Sequence, residues 1–119
     1  MRMLGLVVAV FGFAGSAGPV RPDYSLVQTQ PEFIKIVSGK TLARPLVRLV
    51  VAADGTISGR GAAWDITGTW VWQDAYFCRN LTWGKDDLGF NCQQVENSGD
   101  RIRFISERGM GASAEFRLD

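Results

Sequence analysis

Tyr76-Phe77-Cys78-Arg79-Asn80-Leu81-Thr82-Trp83, Gly84-Lys85-Asp86-Asp87-Leu88, Gly89-Phe90-Asn91-Cys92-Gln93-Gln94-Val95: two runs of strand-forming residues flank a polar turn, and they hold the chain's only two cysteines. With the turn centred on Lys85, Cys78 and Cys92 face each other across an antiparallel hairpin. Facing residues of such a pair sit about 4.5–5.5 Å apart, within reach of a disulfide.

The same pattern continues on both sides of this hairpin. From Pro45 onward the signals are all strand and turn. Leu46 to Ala53 is apolar on both faces except at Arg48, as for a strand covered on both sides. Asp54-Gly55 is a two-residue hairpin signal leading into Thr56 to Ala63. Asp65 to Gln73 follows, and Asp74-Ala75 makes the next reversal, a weaker one than Asp-Gly. Beyond the cysteines, Ser98-Gly99 turns into Arg101 to Ser106, and Gly109-Met110-Gly111 into Ala112 to Leu118. Upstream, Thr29-Gln30-Pro31-Glu32 matches a capping box, with Phe33, Ile34, Ile36 and Val37 as an apolar stripe and Gly39 as the stop. A helix of about two turns cannot stand alone, and its natural place is over the Leu46 to Ala53 strand. The expected fold is mainly β: an antiparallel meander of seven strands, or eight with Thr41 to Ala43, in a small closed or nearly closed barrel with one short N-terminal helix packed on it.

Side-chain alternation then assigns faces. Ile102, Phe104, Ala114, Phe116 and Leu118 alternate with charged residues and must point inward. Pairing across Ser98-Gly99 sets Val95 against Ile102 and Gln93 against Phe104. Pairing across the cysteine hairpin adds Phe77, Arg79, Leu81 and Trp83, and Asp74-Ala75 extends the set to Trp72, Trp70, Gly68 and Ile66. The interior therefore combines tryptophans and aliphatics with Arg79, Asn91 and Gln93. The disulfide falls on the outer face, between Tyr76 and Phe90. A bulge in the middle strands would exchange the two faces.

With 119 residues, the chain has room for one domain. Arg2, the apolar run Met3 to Ala14 and the small residues Ala14-Gly15-Ser16-Ala17 read as a signal peptide over residues 1–17, leaving a barrel domain over 18–119 that opens on an extended linker, Gly18 to Asp23. The run is shorter than the roughly 20 residues that span a bilayer, so no stable span is expected after cleavage. Removing it takes Arg2 from the 13 Lys+Arg, leaving 12 against 12 Asp+Glu. Nothing here is a basic footprint for nucleic acid, and no block of like charge marks a membrane surface or a polyanion. Two cysteines in an exported chain form a disulfide.

Several kinds of chemistry are excluded. The chain has no histidine, hence no His base, no Ser-His-Asp triad and no His metal site; oxidised cysteines offer neither thiolate nor zinc ligands. Ser38-Gly39-Lys40-Thr41 lacks the earlier glycine of a phosphate loop, Ile34 standing there. Gly59-Arg60-Gly61 lacks a following helix and reads as barrel bends. Asp86-Asp87, beside Lys85, is a solvated turn. No catalytic residue, metal or cofactor is assigned. Two groups remain as candidates. Trp70, Trp72, Arg79, Asn91 and Gln93 form a polar end to an apolar, lipocalin-like lumen, where a guanidinium needs an internal acid, water or a ligand's anionic group. Tyr76 and Phe90 form an outer aromatic patch for a protein partner.

Ser38-Gly39-Lys40-Thr41-Leu42, Asp54-Gly55-Thr56-Ile57-Ser58-Gly59, Thr67-Gly68-Thr69-Trp70-Val71-Trp72, Tyr76-Phe77-Cys78-Arg79 and Asn91-Cys92-Gln93 resemble a family of small exported bacterial proteins often labelled dihydrodipicolinate reductase. The likeness covers nearly all of the mature chain. The label implies a nicotinamide-binding domain and a histidine-containing motif with a nearby lysine; neither a dinucleotide fingerprint nor a histidine is present. Gly111-Ala112-Ser113-Ala114 is more faintly similar to the loop of periplasmic lysozyme-inhibitor barrels, which implies an envelope inhibitor. The reading that follows is a periplasmic or secreted monomer that binds a small molecule or an envelope protein without catalysis.

Overall fold

A computed structural model describes residues 23–119; the expected signal peptide, and the linker up to residue 22, lie outside them. In chain order the elements are β1 (Ser25–Val27), α1 (Gln30–Val37), β2 (Leu42–Arg44), β3 (Val47–Val51), β4 (Thr56–Gly61), β5 (Trp64–Gln73), β6 (Tyr76–Trp83), β7 (Asp86–Ser98), β8 (Arg101–Ile105), a single turn α2 (Ser106–Gly109) and β9 (Ser113–Leu118). Strands β2 to β9 form an antiparallel meander in which each pairs with the next, and β9 returns to β2, closing an eight-stranded barrel. Closure removes the two edges that an open meander would expose. The seam is short, with Arg117 opposite Ala43 and Leu118 opposite Leu42, extended by reciprocal bonds between Thr41 and Asp119.

The ninth strand, β1, has only three residues and no sequence signal of its own. It lies along the far half of β7, where β6 has ended, and buries Val27. Tyr24 anchors it: the Arg103 guanidinium lies 3.9 Å from the centre of its ring while holding Glu96 through two bonds.

Helix α1 begins as its sequence predicts, the Thr29 hydroxyl accepting from the Glu32 N–H. The Glu32 carboxylate reaches back to the Gln28 N–H, one residue before the cap. The helix does not cover the outside of β3, whose Arg48 and Val50 face solvent. It plugs one end of the barrel instead. Phe33 is fully buried, its ring centre 5.3 Å from Trp70, 5.2 Å from Trp72 and 5.0 Å from Phe77. A short apolar stripe buries more area inside a barrel mouth than against one strand face, so the plug is favoured over the cover.

Three turns differ in detail from the sequence reading. The β3–β4 connection is a longer loop with Gly55 at φ 96, the Gly55 N–H bonding Ala52 O, rather than a two-residue hairpin. The β7–β8 turn is Gly99-Asp100, which sets Val95 against Phe104 instead of Ile102; a slip of two residues leaves every face unchanged. The β6–β7 turn is Gly84-Lys85. On its own it would put Asn91 opposite Cys78, but a bulge at Leu88 restores Cys78 opposite Cys92. Gly68 is needed where β5 and β6 approach: a Cβ there would sit 2.1 Å from Asn80 O.

Candidate functional site

The alternation of the meander puts the turns at 45–46, 62–63 and 84–85 and the 106–112 loop at one end, opposite the α1 plug. Between plug and open end lies a cavity of about 150 Å³. Phe77 and Phe104, which touch Phe33, form its floor, and Leu42, Leu81 and Phe116 stand in its wall. Two polar side chains enter this otherwise apolar space, Arg79 and Gln93.

The backbone register accounts for their arrival. Arg79 faces Trp70 on β5 and Asn91 on β7, and Phe77 faces Gln93, so the five share the inner face. Val71 and Phe90, the latter 58% exposed, mark the opposite face as outer. The Cys78–Cys92 disulfide is on that outer face, although Cys78 itself is almost wholly screened from solvent.

Of the five residues expected to line the lumen, Arg79 and Gln93 do so. Trp70 and Trp72 point inward but belong to the plug, Trp70 edge-on to Phe33 and Trp72 stacked on it, with Trp70 Nε1 donating to Ala52 O at 2.8 Å. Asn91 is turned to the 106–112 loop: its Oδ1 accepts the Glu107 N–H at 2.9 Å and its Nδ2 donates to the Glu107 carboxylate at 2.6 Å. Gln93 Nε2 donates to Ser106 Oγ at 3.1 Å. These bonds pin a strained loop, since Glu107 and Arg108 are both left-handed, at φ 55 and 54. Nothing in the sequence pattern announces it; Gly109 and Gly111 signal a turn but not its hand.

Arg79 is the unusual group. Its Nη1 donates to Gly89 O at 2.9 Å, and among the described residues no carboxylate lies within 4.0 Å of it. Burial alone acts on it, pushing its pKa below the ordinary arginine value. Partly buried guanidiniums are ordinarily held by an acid; among the described residues this one has the Gly89 carbonyl alone, and its side chain stands in the cavity wall.

The outer pair lies at either side of the disulfide. Phe90 is opposite Asn80, whereas Tyr76 is partly covered, the Arg108 guanidinium lying 5.3 Å from its ring centre. Among the described residues no group of acids or cysteines is arranged to hold a metal ion, and no helix is long and apolar enough to cross a membrane. The barrel is antiparallel throughout, without the parallel β–α–β unit of a nicotinamide-binding domain among these residues.

No protein-family model matches the chain, and neither a curated protein nor a solved structure does. The class defined by fold and site is that of small disulfide-bonded β-barrels with a partly polar lumen.

Proposed function

We propose that this is an exported, monomeric, non-catalytic binding protein that holds a small organic anion in its lumen. The observation that carries the reading is the Arg79 guanidinium, which lines an apolar cavity with no acid within 4.0 Å among the described residues. A cavity of about 150 Å³ accommodates a body the size of benzene. The ligand class is therefore a small aromatic or branched carboxylate, its anionic group on Arg79 and Gln93 and its apolar part on Phe77, Leu81 and Phe104. With no histidine in the chain and both cysteines bonded to each other, the lumen has no imidazole base and no thiolate. The disulfide supports an oxidising compartment.

Calorimetric titration with benzoate and with its neutral isostere benzamide tests the reading, because the two differ chiefly in charge. Benzoate should bind at least tenfold more tightly, and Arg79→Met should abolish the difference. Equal affinities, or no heat from either, would dispose of the lumen site.

One observation favours a second reading, the envelope inhibitor. The pinned 106–112 loop presents Met110 at 90% exposure, as a rigid projecting contact would. Lysozyme inhibition lost on Met110→Glu would support it, and absence of inhibition by the unmodified protein would remove it. The reductase label makes a third reading, which saturable NADPH binding would revive.

A further inference from the structure

A second hollow, of about 500 Å³, lies outside the barrel beside the β2–β3 turn. Four arginines line it: Arg44, Arg48, Arg60 and Arg117. Arg48 and Arg60 are directly opposite each other on β3 and β4, a placement in which like charges repel and for which the fold alone gives no reason. The small Ala43 on β2 stands between Arg48 and Arg117, so the row crosses four strands, about 14 Å at the usual spacing.

The neighbouring acids do not balance this row. Asp65 holds Arg60 at 2.6 Å; Asp119 holds Arg117 through two bonds and stands 3.7 Å from Arg48. Arg44 has no carboxylate within 4.0 Å among the described residues and lies 5.6 Å from the centre of the Phe116 ring. Among the described residues, four guanidiniums thus meet two carboxylates within 4.0 Å, with Asp100 acting on Arg117 from further away.

At the lip of the hollow stands Leu46, 80% exposed and left-handed at φ 66, where glycine would be unstrained. The adjacent β4–β5 turn is tied to it, Ala62 N–H donating to Leu46 O at 2.7 Å, and leads directly into Trp64, more than half exposed. An aliphatic tip beside a row of arginines, with the Trp64 indole past the adjoining turn and packed edge-on to Trp83, is the complement of a lipid–water interface.

We propose that this corner docks onto a bilayer surface bearing anionic phospholipid headgroups. The arginines meet the phosphates, and Leu46 and Trp64 enter the headgroup boundary. A soluble anion would use the arginines alone and would be indifferent to Leu46.

The test is co-sedimentation of the full chain with vesicles of phosphatidylcholine alone and of phosphatidylcholine with an equal share of phosphatidylglycerol. Residues 3–14 are common to all variants and cancel from the comparison between them. The unmodified protein should partition preferentially to the anionic vesicles, the more so at low salt. Arg48→Gln with Arg60→Gln should weaken that partitioning by about fivefold per arginine, roughly 25-fold together. Leu46→Gly separates docking from folding, since it relieves the strained turn: it should melt higher and yet bind anionic vesicles less. No preference for anionic vesicles, variants that partition like the parent, or arginine-dependent binding of inorganic tripolyphosphate without vesicle binding would each overturn the proposal.

Discussion

Replacing Arg79 by methionine separates an arginine kept for the fold from one kept for a ligand. Among the described residues the partly buried side chain makes one hydrogen bond, to Gly89 O, and has no acid within 4.0 Å. Losing a charge-assisted bond costs about 1.5–3 kcal/mol, and the lower figure applies because the carbonyl stays close to solvent at the open end. Against this, a fully buried ion carries a penalty of several kcal/mol; with about half of the guanidinium still solvated, and screening allowed for, roughly 2 kcal/mol of that is relieved. The methionine tip, laid against Phe77 and Leu81, adds about 1 kcal/mol of apolar burial. The variant should therefore be more stable than the parent by about 1.5 kcal/mol, or about 7 °C in Tm for a domain of this size.

The pH dependence carries a sign. Burial lowers the folded-state pKa of Arg79, so the unfolded chain holds the proton more tightly. The destabilisation is fully present below the folded pKa and is relieved only as pH rises through it, so the difference between variant and parent should be flat from about pH 5 to about pH 9. Urea denaturation gives the measurement, without ligand and with benzoate at a hundredfold excess over the parent's Kd, where the parent should gain about 2.7 kcal/mol, a variant binding tenfold more weakly only about 1.4, and the variant's advantage should close. If Arg79→Met loses more than 1 kcal/mol in the absence of ligand, the arginine holds the barrel together and the reasoning fails.

Three further outcomes follow from the packing and the turns. Phe33→Ala empties the centre of the plug and should cost about 3–5 kcal/mol in urea denaturation, with loss of near-UV signal from Trp70 and Trp72; a cost under 1 kcal/mol would mean the helix does not close the barrel. Ala75 is left-handed at φ 67 in the exposed β5–β6 turn, so Ala75→Gly should stabilise by about 0.5–1 kcal/mol, read as a rise in Tm. Serine at both Cys78 and Cys92 opens a bridge of sequence separation 14 and should cost about 3 kcal/mol, with benzoate affinity unchanged because the bridge is on the outer face.

The barrel was legible because its strands alternate. Ile102, Phe104, Ala114 and Phe116 against Arg101, Arg103, Glu115 and Arg117 fix one wall, and parity carries the assignment round to Arg79. That inference survived two errors of register. The slip at Gly99-Asp100 was by two residues, which parity ignores, and the one-residue offset of the Gly84-Lys85 turn was cancelled by the bulge at Leu88. The seat of α1 was not legible, since an apolar stripe of Phe33, Ile34, Ile36 and Val37 looks the same whether it lies on a wall or plugs a mouth. Trp70 and Trp72 consequently fell to the plug rather than to the cavity. The arginine row was hidden for another reason: positions 44, 48, 60 and 117 form no block in the sequence and become neighbours only through pairing of β9, β2, β3 and β4. Strand β1 was missed because three residues are too few to show a period.

The central claim is that the lumen is an anion site, and a crystal structure of the benzoate-soaked protein tests it most directly. The account predicts the carboxylate in hydrogen-bond contact with the Arg79 guanidinium and the Gln93 amide, with the ring between Phe77, Leu81 and Phe104. Benzoate on the barrel's outside only, or Arg79 turned away to an acid with the cavity closed by side chains, would contradict it.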